Sequence, residues 1–190
     1  MRFWLFLLAL VFAAGVGTGS WSFGILGEEE RRQLLSFLEL SLARAARGAD
    51  WPFWNLPFLV AVKLLLLAWL SSFTRFALPA IASLVFLRGV LWGFSLTLFG
   101  TSHGPQGFLL PLAFPGEIGG LLVFAALCAL GLAFSGYRRR DGIPLRALGL
   151  YSLILLLTLA LQVGANALDR AVSPFLLRWL SSLYSLPGLS

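Results

Sequence analysis

A chain of 190 residues that is 59% hydrophobic and 12% charged has about half the charge of an ordinary soluble domain, which excludes a water-soluble globular enzyme. The formal charge of +6 gathers beside apolar runs, so cytoplasmic loops explain it better than a nucleic-acid-binding face, and no nucleic-acid partner is expected. A single cysteine, Cys128, and a single histidine, His103, exclude an intrachain disulfide and a multi-histidine metal site.

Charge-free runs over residues 3–27, 89–116, 118–137 and 147–168 each reach the roughly 20 residues needed to cross about 30 Å of hydrocarbon. The expectation is an all-α, polytopic membrane helix bundle in one domain. Five transmembrane helices fall at about 3–26, 56–74, 78–99, 117–136 and 146–168, with amphipathic interfacial helices beside them.

In chain order, residues 1–26 read as a retained first helix rather than a cleaved signal peptide, because the uncharged stretch is long. Gly15 and Gly19 in this helix form a small-xxx-small pair, which lets a neighbouring helix approach closely. Residues 28–48 open with Glu28, Glu29 and Glu30 and end with Arg44 and Arg47, a polarity that suits the helix macrodipole. Leu34, Leu38 and Leu42 recur there at helical spacing. They predict an external amphipathic helix whose apolar face is a candidate for docking a partner.

Trp51, Pro52, Trp54 and Pro57 mark a return to the interface, where indole rings favour the headgroup layer. The second span ends near Arg75, and Pro79 suits the first turn of the third. Gly89 and Gly93 make a second GxxxG pair, and together the two pairs make a homodimer reasonable. Residues 100–116 contain too much Gly and Pro for a continuous helix. Being apolar, they read equally as a re-entrant or interfacial segment and as a plain external loop.

Glu117 opens the fourth span. Arg138, Arg139, Arg140 and Arg146 then form the sharpest topological signal, placing the N-terminus inside and the C-terminus outside by the positive-inside rule. The fifth span ends in Gln162, Asn166 and Asp169. Ser173-Pro174 reads as the start of a separate interfacial helix at about 174–185.

Counting depth along the helices brings Lys63, Arg88, Glu117, Gln162 and Asn166 toward one level in the outer half of the bundle. Charged groups at that depth cost several kcal/mol unless they face inward, pair or reach water. Two cations facing one carboxylate suggest either plain structural pairing and snorkelling or a place for an anionic guest. No HExxH, CxxC, phosphate loop or Ser-His-Asp spacing is present, and Ser102 beside His103 is no more than a neighbouring pair. The chain is therefore read as non-enzymatic, with no cofactor and no metal.

Residues 62–99 resemble the stage II sporulation protein M family of bacterial membrane proteins. The similarity lies in Lys63 opening an apolar helix, Pro79 closing a turn, the Arg88-Gly89 step and the Gly93-Phe94 pair. It continues through Pro115 and Glu117. Phe76 and Ala77 stand where family members often have glycine, and Pro115-Gly116 replaces a proline-histidine-glycine or proline-asparagine opening; these departures bear on a shared partner rather than on the fold. The resemblance implies a scaffold in the bacterial cytoplasmic membrane that anchors or assembles an extracytoplasmic peptidoglycan-degrading complex, as in engulfment during sporulation. The alternative is a permease-like subunit that handles an anionic or lipid-linked substrate through Lys63, Arg88 and Glu117.

Overall fold

The computed structural model describes residues 2–46, 55–141 and 145–184. Six α-helices fill them: α1 (Arg2–Ile25), α2 (Glu28–Ala46), α3 (Asn55–Ser71), α4 (Ala77–His103), α5 (Pro115–Asp141) and α6 (Leu145–Tyr184). A 3₁₀ segment, Gly104–Ala113, joins α4 to α5, and no strand occurs among the described residues. The protein is an all-α bundle. The interfacial tryptophans expected at Trp51 and Trp54, and the end of the helix expected at 174–185, lie outside the described residues.

Four stretches are long and apolar enough to cross a bilayer: Phe3–Ile25, Ala77–Pro111, Pro115–Gly136 and Arg146–Leu180. The chain is thus a membrane-embedded helical protein. The second expected span is shorter than foreseen, because α3 has 17 residues, or about 26 Å at 1.5 Å per residue, against about 30 Å of hydrocarbon. It stops where Ser72, Phe73 and Thr74 turn back onto the carbonyls of residues 68–71.

α1 and α4 run parallel, with Gly15 against Gly89 and Gly19 against Val90 and Phe94. A Cβ on Gly15 would sit against the Phe86 carbonyl, and one on Gly93 against the Val16 carbonyl. The two GxxxG pairs therefore face each other inside one chain, where the backbones touch and dispersion replaces the side chains that are missing. The seam on which a homodimer was expected is filled. Ser20 Oγ adds a hydrogen bond of 3.2 Å to the Gly93 carbonyl.

α5 and α6 are antiparallel. Gly116 lies against Ala165, Gly120 against Gln162, and Gly131 against Tyr151. The end of α3, the start of α4 and the end of α5 meet at one pole, where the Ser72 hydroxyl donates to the Ala68 carbonyl at 2.9 Å. With its hydrogen so committed, Ser72 Oγ accepts from the Tyr151 hydroxyl at 2.8 Å. Phe134 stacks on Tyr151, and Phe73 meets both rings edge-on.

Two apolar cores result. The larger joins α1, α3, α4, α5 and α6 through residues such as Leu65, Ile81, Leu127 and Leu155. The smaller lies at the opposite pole, where Leu38 and Leu42 of α2 close on Leu110 of the 3₁₀ segment and on Leu177 and Leu180 of α6. Together these elements form a cap.

The cap accounts for two departures from expectation. The helix foreseen at 174–185 is not separate, since α6 runs through Pro174 for 40 residues. A mid-helix proline costs about 3 kcal/mol, and here the burial of Leu177 and Leu180 against α2 offsets it. Residues 100–116 form no continuous α-helix, as expected, but most of them are helical rather than irregular. α4 continues to His103 and breaks at Gly104, whose φ of 64° no β-carbon-bearing residue adopts easily. The 3₁₀ segment then folds back on α4, with Gly107 against the Phe99 carbonyl and the Phe108 ring over Gly100.

Candidate functional site

Arg88 stands in the middle of α4 on the face that carries Ile81, Val85 and Gly89, and is buried with them. An arginine on this face cannot snorkel to water, so it needs a charge partner within the bundle. Glu117, in the first turn of α5, supplies it: Arg88 Nη2 donates to Glu117 Oε2 at 2.8 Å. The arginine side chain is 8% exposed and the carboxylate 33%, so the pair opens outward on the glutamate side.

α6 contributes the neighbouring polar groups. Gln162, Asp169 and Ser173 are all buried on its inward face. Asp169 Oδ1 accepts the Gly116 N–H at 2.6 Å. A carboxylate at the first amides of α5 satisfies a donor that the helix leaves open and complements its dipole. Asp169 is thus a cap donated by a different helix. The Gln162 amide rests on Gly120, where a Cβ would meet its Oε1 at 2.7 Å. Gly116 and Gly120 make this approach possible, and they form a third GxxxG pair.

The expected polar set is therefore partly assembled. Arg88 and Glu117 are paired, and Gln162 packs on the helix that carries Glu117. Asn166 is half-buried on α6, one turn beyond Gln162. Lys63 is not part of the set, because its side chain is exposed on α3 while Leu64 and Leu65 beside it turn inward. The expectation of two cations facing one carboxylate is replaced by one ion pair and a second acid. Asp169 was legible as a polar residue at the end of the span, but its capping role was not. The signal that would have found it is the small-residue pair Gly116 and Gly120, hidden when Gly116 is read as loop.

The apolar face Leu34, Leu38 and Leu42 is also differently used. Leu38 and Leu42 are buried in the cap core and Leu34 is half-buried, so this face binds the chain itself. The outward side of α2 carries Glu28, Glu29, Arg32, Gln33 and Leu40, all exposed.

In chemical terms the polar set neutralises a buried cation and holds α4, α5 and α6 at one level. Ser102 Oγ lies 2.6 Å from His103 Nδ1 and donates to the Phe99 carbonyl at 3.0 Å. With the hydroxyl hydrogen on the Phe99 carbonyl, the tautomer that satisfies the pair has the imidazole N–H donating to Ser102 Oγ. Among the described residues no three His, Cys, Asp or Glu side chains gather as metal ligands. Comparison with family models, with curated proteins and with solved structures finds no match to this chain.

Proposed function

We propose that the protein is a non-enzymatic membrane scaffold whose cap holds an extracytoplasmic partner, and that its partners are cell-wall, peptidoglycan-remodelling proteins. The observation that carries this reading is the second core. Leu38, Leu42, Leu110, Leu177 and Leu180 join three segments distant in sequence into a rigid platform at one end of the bundle. A platform of that kind presents the outward side of α2 at fixed geometry, which lowers the ordering cost of docking.

Orientation supports the same reading. Arg75 and Arg146, with Arg138–Arg140 in the last turns of α5, belong to the pole opposite the cap and have only Asp141 among them, whereas Arg31, Arg32, Arg44, Arg170 and Arg178 share the cap with Glu28, Glu29, Glu30, Glu39 and Asp169; we take the acid-poor basic pole as cytoplasmic. The cap is then outside a bacterial cytoplasmic membrane, and the N-terminus inside. The partner class comes from the resemblance of residues 62–99 to the stage II sporulation protein M family. The permease-like alternative is weakened by the exposure of Lys63 and by the pairing of Arg88.

A photo-crosslinking amino acid at Leu40 on the cap, compared with one at Leu153 on the lipid-facing side of α6, tests the proposal in living cells. Adducts to peptidoglycan hydrolases or their anchors at Leu40, and lipid adducts alone at Leu153, are expected. Protein adducts at Leu153 with none at Leu40 would refute the scaffold reading.

A further inference from the structure

α6 carries an apolar stripe on the side away from both cores. Leu150, Leu153, Leu157 and Leu161 are all exposed on it. Steps of three and four residues continue the stripe through Leu168 to Phe175 and Trp179, which are 66% and 52% exposed. The opposite face stays buried over the same length, from Tyr151 through Gln162 and Asp169 to Leu180.

The length of this stripe conflicts with the thickness of a membrane. Leu150 to Trp179 is about 44 Å at 1.5 Å per residue, whereas the hydrocarbon is about 30 Å thick. Tilt alone would need about 47° to keep the whole stripe in hydrocarbon, beyond the roughly 0–40° range of spanning helices. An upright α6 would instead hold Phe175 and Trp179 in water. Neither Leu177 nor Leu180 can turn outward to relieve this, since both are fixed in the cap core.

The charges beside the stripe fit a third arrangement. Arg170 and Arg178 are exposed on the same segment, while its acid, Asp169, is buried and bound to Gly116. Arg178 Nε donates to the Pro174 carbonyl at 3.1 Å, which lays the guanidinium along the helix. Aromatic rings with flanking arginines, continuous with a lipid-facing stripe, are the composition of a segment seated at the headgroups of anionic lipid. We propose that α6 tilts within the ordinary range of spanning helices, so that residues 168–180 pass from the outer acyl-chain boundary through the headgroup layer at the cap end, with Leu168, Phe175 and Trp179 toward the acyl chains and Arg170 and Arg178 toward lipid phosphate. The cap then rests on the bilayer surface instead of standing above it.

The test uses the full chain with Cys128→Ala, reconstituted in phosphatidylcholine vesicles containing one quarter phosphatidylglycerol. A nitroxide is placed on Phe175→Cys, and on Ala171→Cys in case the first variant folds poorly. Collisional accessibility to oxygen and to a water-soluble nickel chelate is compared with Leu153→Cys and Glu29→Cys. The expected depth lies between those two, at the level of the phosphates. Nickel accessibility equal to that of Glu29→Cys would overturn the proposal, leaving the face for a protein absent from the vesicles. Spin–spin broadening that disappears on dilution with unlabelled protein would overturn it in favour of a second copy. The phosphate contact is read separately by native mass spectrometry. The double variant Arg170→Gln/Arg178→Gln should retain several-fold less phosphatidylglycerol than the parent, and unchanged retention would remove the arginines from the lipid site.

Discussion

Gly15 and Gly89 sit back to back at the crossing of α1 and α4, so close that a Cβ on either would lie 3.1 Å from the other's Cα, and one turn further a Cβ on Gly93 would press on the Val16 carbonyl. No rotamer change relieves a clash between a β-carbon and a main-chain oxygen; the helices themselves must part. Gly93→Leu is therefore expected to cost at least the 1–3 kcal/mol typical of overpacking, lowering the melting temperature in detergent by roughly 5–10 °C. Gly17→Leu, with nothing within 4 Å of its Cβ, should leave it unchanged. Thermal size-exclusion profiles of the two variants check this.

The Arg88–Glu117 pair predicts a specific asymmetry. Glu117→Leu leaves the buried Arg88 charge unpaired and should destabilise by about 3 kcal/mol, Arg88→Met leaves only the third-exposed Glu117 carboxylate and should cost less, and the double variant should recover much of the Glu117→Leu loss. Lys63→Gln should show no coupling to either member of the pair, since Lys63 stands outside it. Unfolding of the four variants in mixed micelles measures the coupling. Cells carrying the double variant should keep the scaffold's function, while a transport site would lose it.

Asp169 should matter through its acceptor oxygens on α5. Asp169→Asn keeps the shape but removes the charge at the first turn of α5, and a loss of roughly 1–2 kcal/mol is expected. Hydrogen exchange should show it as faster exchange at the Gly116 amide, without change in the Ser72 and Tyr151 region. Uniformly faster exchange across the bundle would contradict a local capping role.

At the opposite pole, Tyr151→Phe removes a hydrogen bond to Ser72, and Ser72→Ala removes the same bond from the other side. Each should cost about 1 kcal/mol, and the double variant should cost little more than either. Gly131→Ala should be worse than both, since its Cβ would lie 2.7 Å from the Tyr151 hydroxyl.

What could be read from the sequence depended on the range of the forces involved. Solvent preference is written residue by residue, so the helical class and the long apolar helices were legible from runs such as residues 118–137. The ion pair was half legible, because the depth of Arg88 demands a partner and Glu117 is near it in any bundle. Lys63 was misplaced because a helix rotation of about 100° per residue separates inward from outward, and an all-round apolar helix such as α3 carries no moment to set that rotation. The face Leu34, Leu38 and Leu42 showed that something would cover it. That the cover is Leu110, Leu177 and Leu180 of the same chain depends on a non-local contact that periodicity does not encode.

The cap separates packing from recognition in a way that can be measured. Leu42 is 2% exposed and Leu40 is 61% exposed on the same turn of α2. Leu42→Ala should cost about 2–4 kcal/mol and open the cap. Leu40→Ser should leave folding intact and weaken partner binding alone.

The most direct measurement is purification of the protein from its native membranes in mild detergent, with co-purifying proteins identified by mass spectrometry for the parent, Leu40→Ser and the Arg88→Met/Glu117→Leu double variant. The account predicts recovery of peptidoglycan hydrolases or their membrane anchors with the parent and the double variant, and their loss with Leu40→Ser. Recovery of a cytoplasmic ATPase in their place, dependent on the Arg88–Glu117 pair, would contradict the scaffold and make the polar set a transport site.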